Sequence, residues 1–106
     1  MLKSVPFNQT VAFQHLTKLK AEIEQTPLKE LFTADSERFE KYSIRFEDIL
    51  VDYSKNNISQ ETVSLLLELA NSIGLKDAVA QYFGGALINQ TENRAVLHTA
   101  LRAPES

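Results

Sequence analysis

Residues 44–53, IRFEDILVDY, constrain the fold of this chain more than any other stretch. Ile44 and Phe46 alternate with Arg45 and Glu47, the period-2 pattern of a strand with one buried face. Ile49, Leu50 and Val51 then run on without a polar break, which predicts burial on both faces. A strand cannot satisfy its own backbone N–H and C=O groups. Elsewhere the sequence offers no second strand pattern. One short strand in a helical chain therefore predicts pairing partners outside this chain, and the chain reads as a piece of something longer.

The remaining segments carry helical spacing. Residues 8–26 place Val11, Phe13, Leu16, Leu19 and Ile23 near a 3.6-residue period, with Asn8 or Thr10 as the cap and Pro27 as the stop. Residues 28–41 read as one or two short turns. Leu28, Leu31 and Phe32 cluster there, Asp35 caps a second turn, and the mixed charges around Arg38 read as a solvated face. Residues 54–58 form a polar turn. Ser59 caps the next helix and Glu61 suits its positive first turn. Its expected inward stripe is Val63, Leu66, Leu67, Ala70 and Ile73, and Gly74 ends it in a left-handed conformation. A short helix over 76–83 is broken by Gly84-Gly85, and 86–90 is a linker. Thr91 is read as capping a last helix that carries Ala95, Val96, Leu97, Ala100 and Leu101 and ends before Pro104.

At 106 residues the chain forms one unit, residues 1–106, with no internal boundary or repeat. Hydrophobic residues at 43% and charged residues at 24% fit a folded protein rather than a disordered one. The formal charge of −3 provides no drive toward nucleic acid or an anionic membrane. With no cysteine, disulfides and thiolate metal sites are excluded. After Met1, Leu2 and Lys3 the polar Asn8, Gln9, Gln14 and His15 interrupt any signal-peptide core. No run approaches about 18 apolar residues, so no spanning helix is expected, and a cytoplasmic location follows as the default.

Two blocks carry more information than composition does: ILVDYSKN at 49–56, and INQTENRAVLHTALR at 88–102, preceded by the turn at Phe83–Gly85. They resemble the N-terminal region of the phosphoglucose isomerase family. LFTADSERFEKYS at 31–43 is similar to the same region more loosely, so the resemblance covers most of 31–102. The departures are local. Ala103-Pro104-Glu105 follows Leu101-Arg102 where the family often has Asn-Arg, and Gly84 stands where a polar residue is more usual.

The resemblance implies a mainly α segment with one short strand, the N-terminal part of an αβα-sandwich sugar isomerase. The family's two αβα domains would be absent from this chain. The parent would interconvert glucose 6-phosphate and fructose 6-phosphate by ring opening and proton transfer through an enediol(ate). In the family a glutamate is the base, histidine and lysine assist ring opening, and a Ser/Thr-rich loop holds the phosphate. No position here matches any of these, so no catalytic, cofactor-binding or metal-binding residue is assigned and no cofactor is expected. The expected partners are the remaining domains of the parent, which would be a homodimer.

The residues themselves point the same way. Among 14 carboxylates none pairs with a histidine in a catalytic pattern. His15 reads as a partly exposed surface residue, and His98, beside Leu97 and Leu101, as a hydrogen-bonded structural one. Gly84-Gly85 lacks a phosphate-loop signature, and Lys55 reads as a solvated turn lysine. The phenylalanines do not interleave with basic residues as in a single-strand-binding platform. Arg94 falls in the first turn of the expected last helix, where it opposes the helix dipole, and Asp52 or Glu92 would pair with it. The alternative reading is a stand-alone helical interaction module that binds through Val63–Ile73 and the last helix.

Overall fold

The computed structural model describes residues 2 and 4–104; Met1, Lys3, Glu105 and Ser106, including the start of the leader reading and the end of the family comparison at Glu105, lie outside the described residues. A 3-10 turn, Phe7–Gln9, leads into α1, Val11–Ile23. Then follow α2, Leu28–Ala34, α3, Arg38–Lys41, strands β1, Ser43–Phe46, and β2, Ile49–Asp52, α4, Gln60–Ser72, and α5, Leu75–Phe83. A second 3-10 helix, His98–Arg102, comes last.

α1 starts where Thr10 Oγ1 accepts the Phe13 amide at 3.2 Å. Its inward row is Ala12, Leu16, Leu19 and Ile23, spaced to share one face, with Ala12 and Leu19 buried against α4. The ring of Phe13 meets that of Phe7 edge-on at 5.3 Å and folds the leading turn back on the helix. Pro27 lies beyond the end of α1 and acts as the N-cap of α2.

α4 is capped at both ends as its sequence predicts. Ser59 Oγ accepts the Thr62 amide at 3.3 Å, and Thr62 Oγ1 accepts the Ser59 amide at 3.0 Å. Gly74, at φ 77°, takes the left-handed position between α4 and α5. The inward face of α4 differs from the expected one. Leu65 is 8% exposed, whereas Leu67, assigned to the stripe, is 61% exposed and Leu66 is 47% exposed. Apolar side chains occupy most of the circumference of α4, so periodicity admits two faces, and α1 selects the one through Leu65.

The single strand of the sequence reading is a hairpin. β1 and β2 pair antiparallel, Ile44 opposite Val51 and Phe46 opposite Ile49, around the two-residue turn Glu47-Asp48. Glu47 sits at φ 51°, a conformation usually left to Gly or Asn. With no such residue present, the turn is disguised as two more polar positions of the alternation. The missing partner of the strand lay within the same ten residues, and the argument for a fragment from a lone strand falls.

The expected last helix does not form. Asn89 and Arg94 exchange backbone hydrogen bonds at 3.0 and 3.2 Å around a turn with Asn93 at φ 54°, so Thr91 caps nothing and Arg94 is in no helix. Only the 3-10 helix follows, and Leu101 on it is 89% exposed. A short helix with no surface to dock on gains too little from its own hydrogen bonds.

The molecule is thin, with extents of 48 × 38 × 18 Å and a radius of gyration of 17.9 Å. A compact chain of this length would have a radius near about 13 Å. The exposed area of 8650 Å² compares with about 6,000 Å² for a compact protein of this mass. Buried apolar residues are few, Ala12, Leu19, Tyr42 and Leu65 among those described. They form two small centres, one between α1 and α4 and one around Tyr42.

Truncating Leu65→Ala is expected to cost about 2–5 kcal/mol, because it opens the α1–α4 contact. Leu67→Ala should stay within about 0.5 kcal/mol, as for other solvent-facing changes. Urea unfolding followed by circular dichroism orders the two; the reverse order would place α1 on the other side of α4.

Candidate functional site

The most highly built polar cluster centres on Arg38, which is 3% exposed. Asp35 begins the turn that carries it: Asp35 Oδ1 accepts the Glu37 amide at 3.0 Å. From α3 the guanidinium reaches the loop after β2. Nε donates to the Ser54 carbonyl at 2.8 Å, and one terminal nitrogen donates to the carbonyls of Asn56 and Ile58 at 2.7 and 3.0 Å. The Tyr42 ring lies 4.7 Å from the guanidinium carbon and the Phe32 ring 5.6 Å away. Among the described residues no carboxylate lies within ion-pair distance of Arg38, and Asp35 feels its charge only from further off. Carbonyl dipoles and ring faces therefore take the place of a counter-ion. This corrects the reading of the segment as a solvated face: Glu37, Glu40 and Lys41 are exposed, and Arg38 is the buried exception.

The same cluster fixes the DYSKN turn. Asp52 Oδ1 accepts both the Ser54 amide at 2.9 Å and the Ser54 hydroxyl at 2.6 Å. These bonds hold the Asp52 carboxyl below the usual carboxylate range, the hydroxyl bond contributing most. Ser54 is buried, and Tyr53 extends the hairpin ladder by donating its amide to the Tyr42 carbonyl at 2.9 Å. The two tyrosine rings meet edge-on at 5.9 Å. Lys55 remains exposed at the tip, as a turn lysine should. The cluster is a clamp: the bonds from Arg38 and to Asp52 Oδ1 all join groups of this chain.

The other candidate residues stay apart. His15 is exposed on α1. His98 is exposed on the last 3-10 helix, which corrects its reading as a structural histidine on an α-helix. Arg94 pairs weakly with Glu92 at 3.9 Å, both side chains exposed; Asp52, the other candidate partner, is committed to Ser54. Gly84-Gly85 forms a turn, with Gly85 at φ 75°. A groove of about 420 Å³ between α1 and α4 is lined by Leu16, Leu19, Ile23 and Leu66, with Lys20 and Glu24 paired at its rim. Among the described residues no three His, Asp or Glu side chains approach closely enough to hold a metal ion, and no helix is long and apolar enough to cross a membrane.

Arg38→Met should remove the guanidinium hydrogen bonds from three carbonyls, of which only that of Asn56 keeps a second donor shown here, the Ile58 amide, and should cost about 1–3 kcal/mol for a carbonyl left unpaired. The exposed Arg45→Ala should stay within about 0.5 kcal/mol. Arg38→Lys should fall nearer Met than wild type, since one ammonium cannot reproduce the fork. Thermal melts of the three variants check the order.

Acid sensitivity follows from two depressed carboxyls. Asp52 is lowered by Ser54, and Asp35 by the Lys41 ammonium at 2.8 Å and then by the Glu37 amide. Each binds its proton more weakly folded than unfolded. Their contribution is therefore complete above the unfolded value of about 3.9 and is lost as pH falls through the lower folded values. Urea midpoints measured from pH 6 downward should decline below about pH 4. Asp52→Asn should flatten that decline, and an unchanged acid limb would contradict the assignment.

Comparison with known proteins places the chain in a family. The phosphoglucose isomerase family model matches residues 52–106, from the clamp's Asp52 onward. A glucose-6-phosphate isomerase of Christiangramia forsetii is 50% identical over 102 residues, which is 96% of this chain and 19% of that protein. One from Chlorobium phaeobacteroides is 46% identical over 97 residues, 92% of this chain and 17% of that protein. The chain thus spans about a fifth of the length of the curated relatives it matches. With more than half of its residues matched by the family model and nearly all of them aligned to these isomerases, the chain belongs to the phosphoglucose isomerase family.

Proposed function

We propose that this chain is the N-terminal structural segment of a cytoplasmic glucose-6-phosphate isomerase and is not catalytic by itself. The observation that carries the reading is the near-complete alignment of this chain with isomerases of which it spans only about a fifth. The parent interconverts glucose 6-phosphate and fructose 6-phosphate, and its remaining domains supply the chemistry and the sugar-phosphate site. Moving a proton beside a carbonyl takes a placed base, donors for the developing oxyanion and a pocket that excludes water. Here the histidines are exposed on separate elements, the buried cation is spent on backbone carbonyls, and the α1–α4 groove combines Leu16, Leu19, Ile23 and Leu66 with Lys20, Glu24, Asn57 and Thr62 but holds no histidine. These features suit a scaffold. Its role in the parent is to contribute α1, α4 and the hairpin as packing surface, in a polypeptide that works as a homodimer.

A coupled assay on fructose 6-phosphate tests both halves of the reading. The 106-residue chain, purified from an isomerase-deficient host, should show no turnover above buffer. The full-length parent carrying this segment should be active. Turnover by the short chain would overturn its non-catalytic role, and an inactive parent would overturn the parentage.

A further inference from the structure

The hairpin presents a finished sheet face that the described residues leave exposed. Its register places Ile44 opposite Val51 and Phe46 opposite Ile49, and strand alternation sends these four side chains to one side. They are 59%, 52%, 67% and 61% exposed, respectively. Ser43, Arg45, Leu50 and Asp52 occupy the other side. The pattern is that of a sheet buried on one face, and the face bred for burial is in water. A two-stranded hairpin is marginal without such cover. Here the Arg38 clamp holds only its open end. The quartet carries no charge, so its occupant is apolar.

The size of the uncovered surface points to the occupant. The chain exposes about 2,700 Å² more than a compact protein of its mass. A standard interface takes about 800 Å² from each partner, so a second copy docked on one face would leave most of the excess bare. The relatives, by contrast, are about five times as long as this segment. We infer that the Ile44–Phe46–Ile49–Val51 face is the docking surface for an apolar helix or sheet of the same polypeptide, from the part of the parent outside residues 1–106. The contact is within one subunit rather than between subunits. This inference rests on the proposed parentage.

Photocrosslinking in the full-length parent tests it. p-Benzoylphenylalanine replaces Phe46, the sample is irradiated, and adducts are sized on a denaturing gel and mapped by mass spectrometry. The expected product runs at the mass of one subunit and joins position 46 to a peptide outside residues 1–106. An adduct of twice the subunit mass would overturn the inference in favour of a subunit interface. An adduct confined to residues 1–106, or none, would overturn it as well. Hydroxyl-radical labelling of the unsubstituted parent guards against a folding defect in the variant. Phe46 and Ile49 should lose most of their labelling in the parent relative to the 106-residue chain, and equal labelling would overturn the docking. Isomerase activity of the same unsubstituted sample separates the two levels: an active parent with a fully labelled face refutes the docking alone, and an inactive parent refutes the parentage beneath it.

Discussion

One guanidinium joins the middle of this molecule. Arg38 leaves α3, crosses to the loop after β2, and binds the carbonyls of Ser54, Asn56 and Ile58. The hairpin enters directly after α3 and leaves into that loop, so the same residue closes the open end of the hairpin and sets the approach to the Ser59 cap of α4. Removing a cation from water is costly unless hydrogen bonds and polarisable neighbours replace its solvent. Three carbonyls and the faces of Tyr42 and Phe32 do so here. The planar fork of arginine suits this geometry, since its donors diverge toward separate acceptors in fixed directions. Ser54 and Asp52 complete the arrangement by shaping the loop backbone into the conformation the fork meets.

Around this clamp the packing is sparse. The α1–α4 contact and the Tyr42 centre bury few side chains, while apolar residues lie open on α4, on the hairpin and along the C-terminal stretch. A chain that hides so little of its apolar surface is held by local capping and hydrogen bonding more than by a core. The curated relatives it matches are about five times as long.

Much of the local structure was legible in the residues. Thr10, Ser59 and Gly74 marked helix boundaries because their side chains, or the lack of one, act on the adjacent backbone. The motifs at 49–56 and 88–102 led to the family without reference to fold. Other features were hidden for specific reasons. Glu47-Asp48 turns the hairpin without the Gly or Asn that usually announces such a turn, so two strands read as one. Arg38 sits among Glu37, Glu40 and Lys41, and nothing in that string separates the buried charge from the solvated ones. For the candidate site residues, His15, Lys55 and the Gly84-Gly85 turn met their expected surroundings, whereas His98 and Arg94 were assigned to a helix that is absent.

The sequence by itself determined the elements whose stabilising contacts lie within a few residues: α1, α4 and α5, the boundaries at Thr10, Ser59 and Gly74, and the polar turn that follows Tyr53. It determined the family as well, because motif identity needs no geometry. Tertiary structure alone decided which face of α4 turns inward, that Arg38 is buried, and that 95–102 stops short of an α-helix. Each of these depends on a surface supplied from far along the chain. α1 chooses the Leu65 face, carbonyls 16 to 20 residues away hold the guanidinium, and no described element covers Leu101. Spacing in a sequence reports what a segment can bury, and only the packed neighbour determines what it does bury.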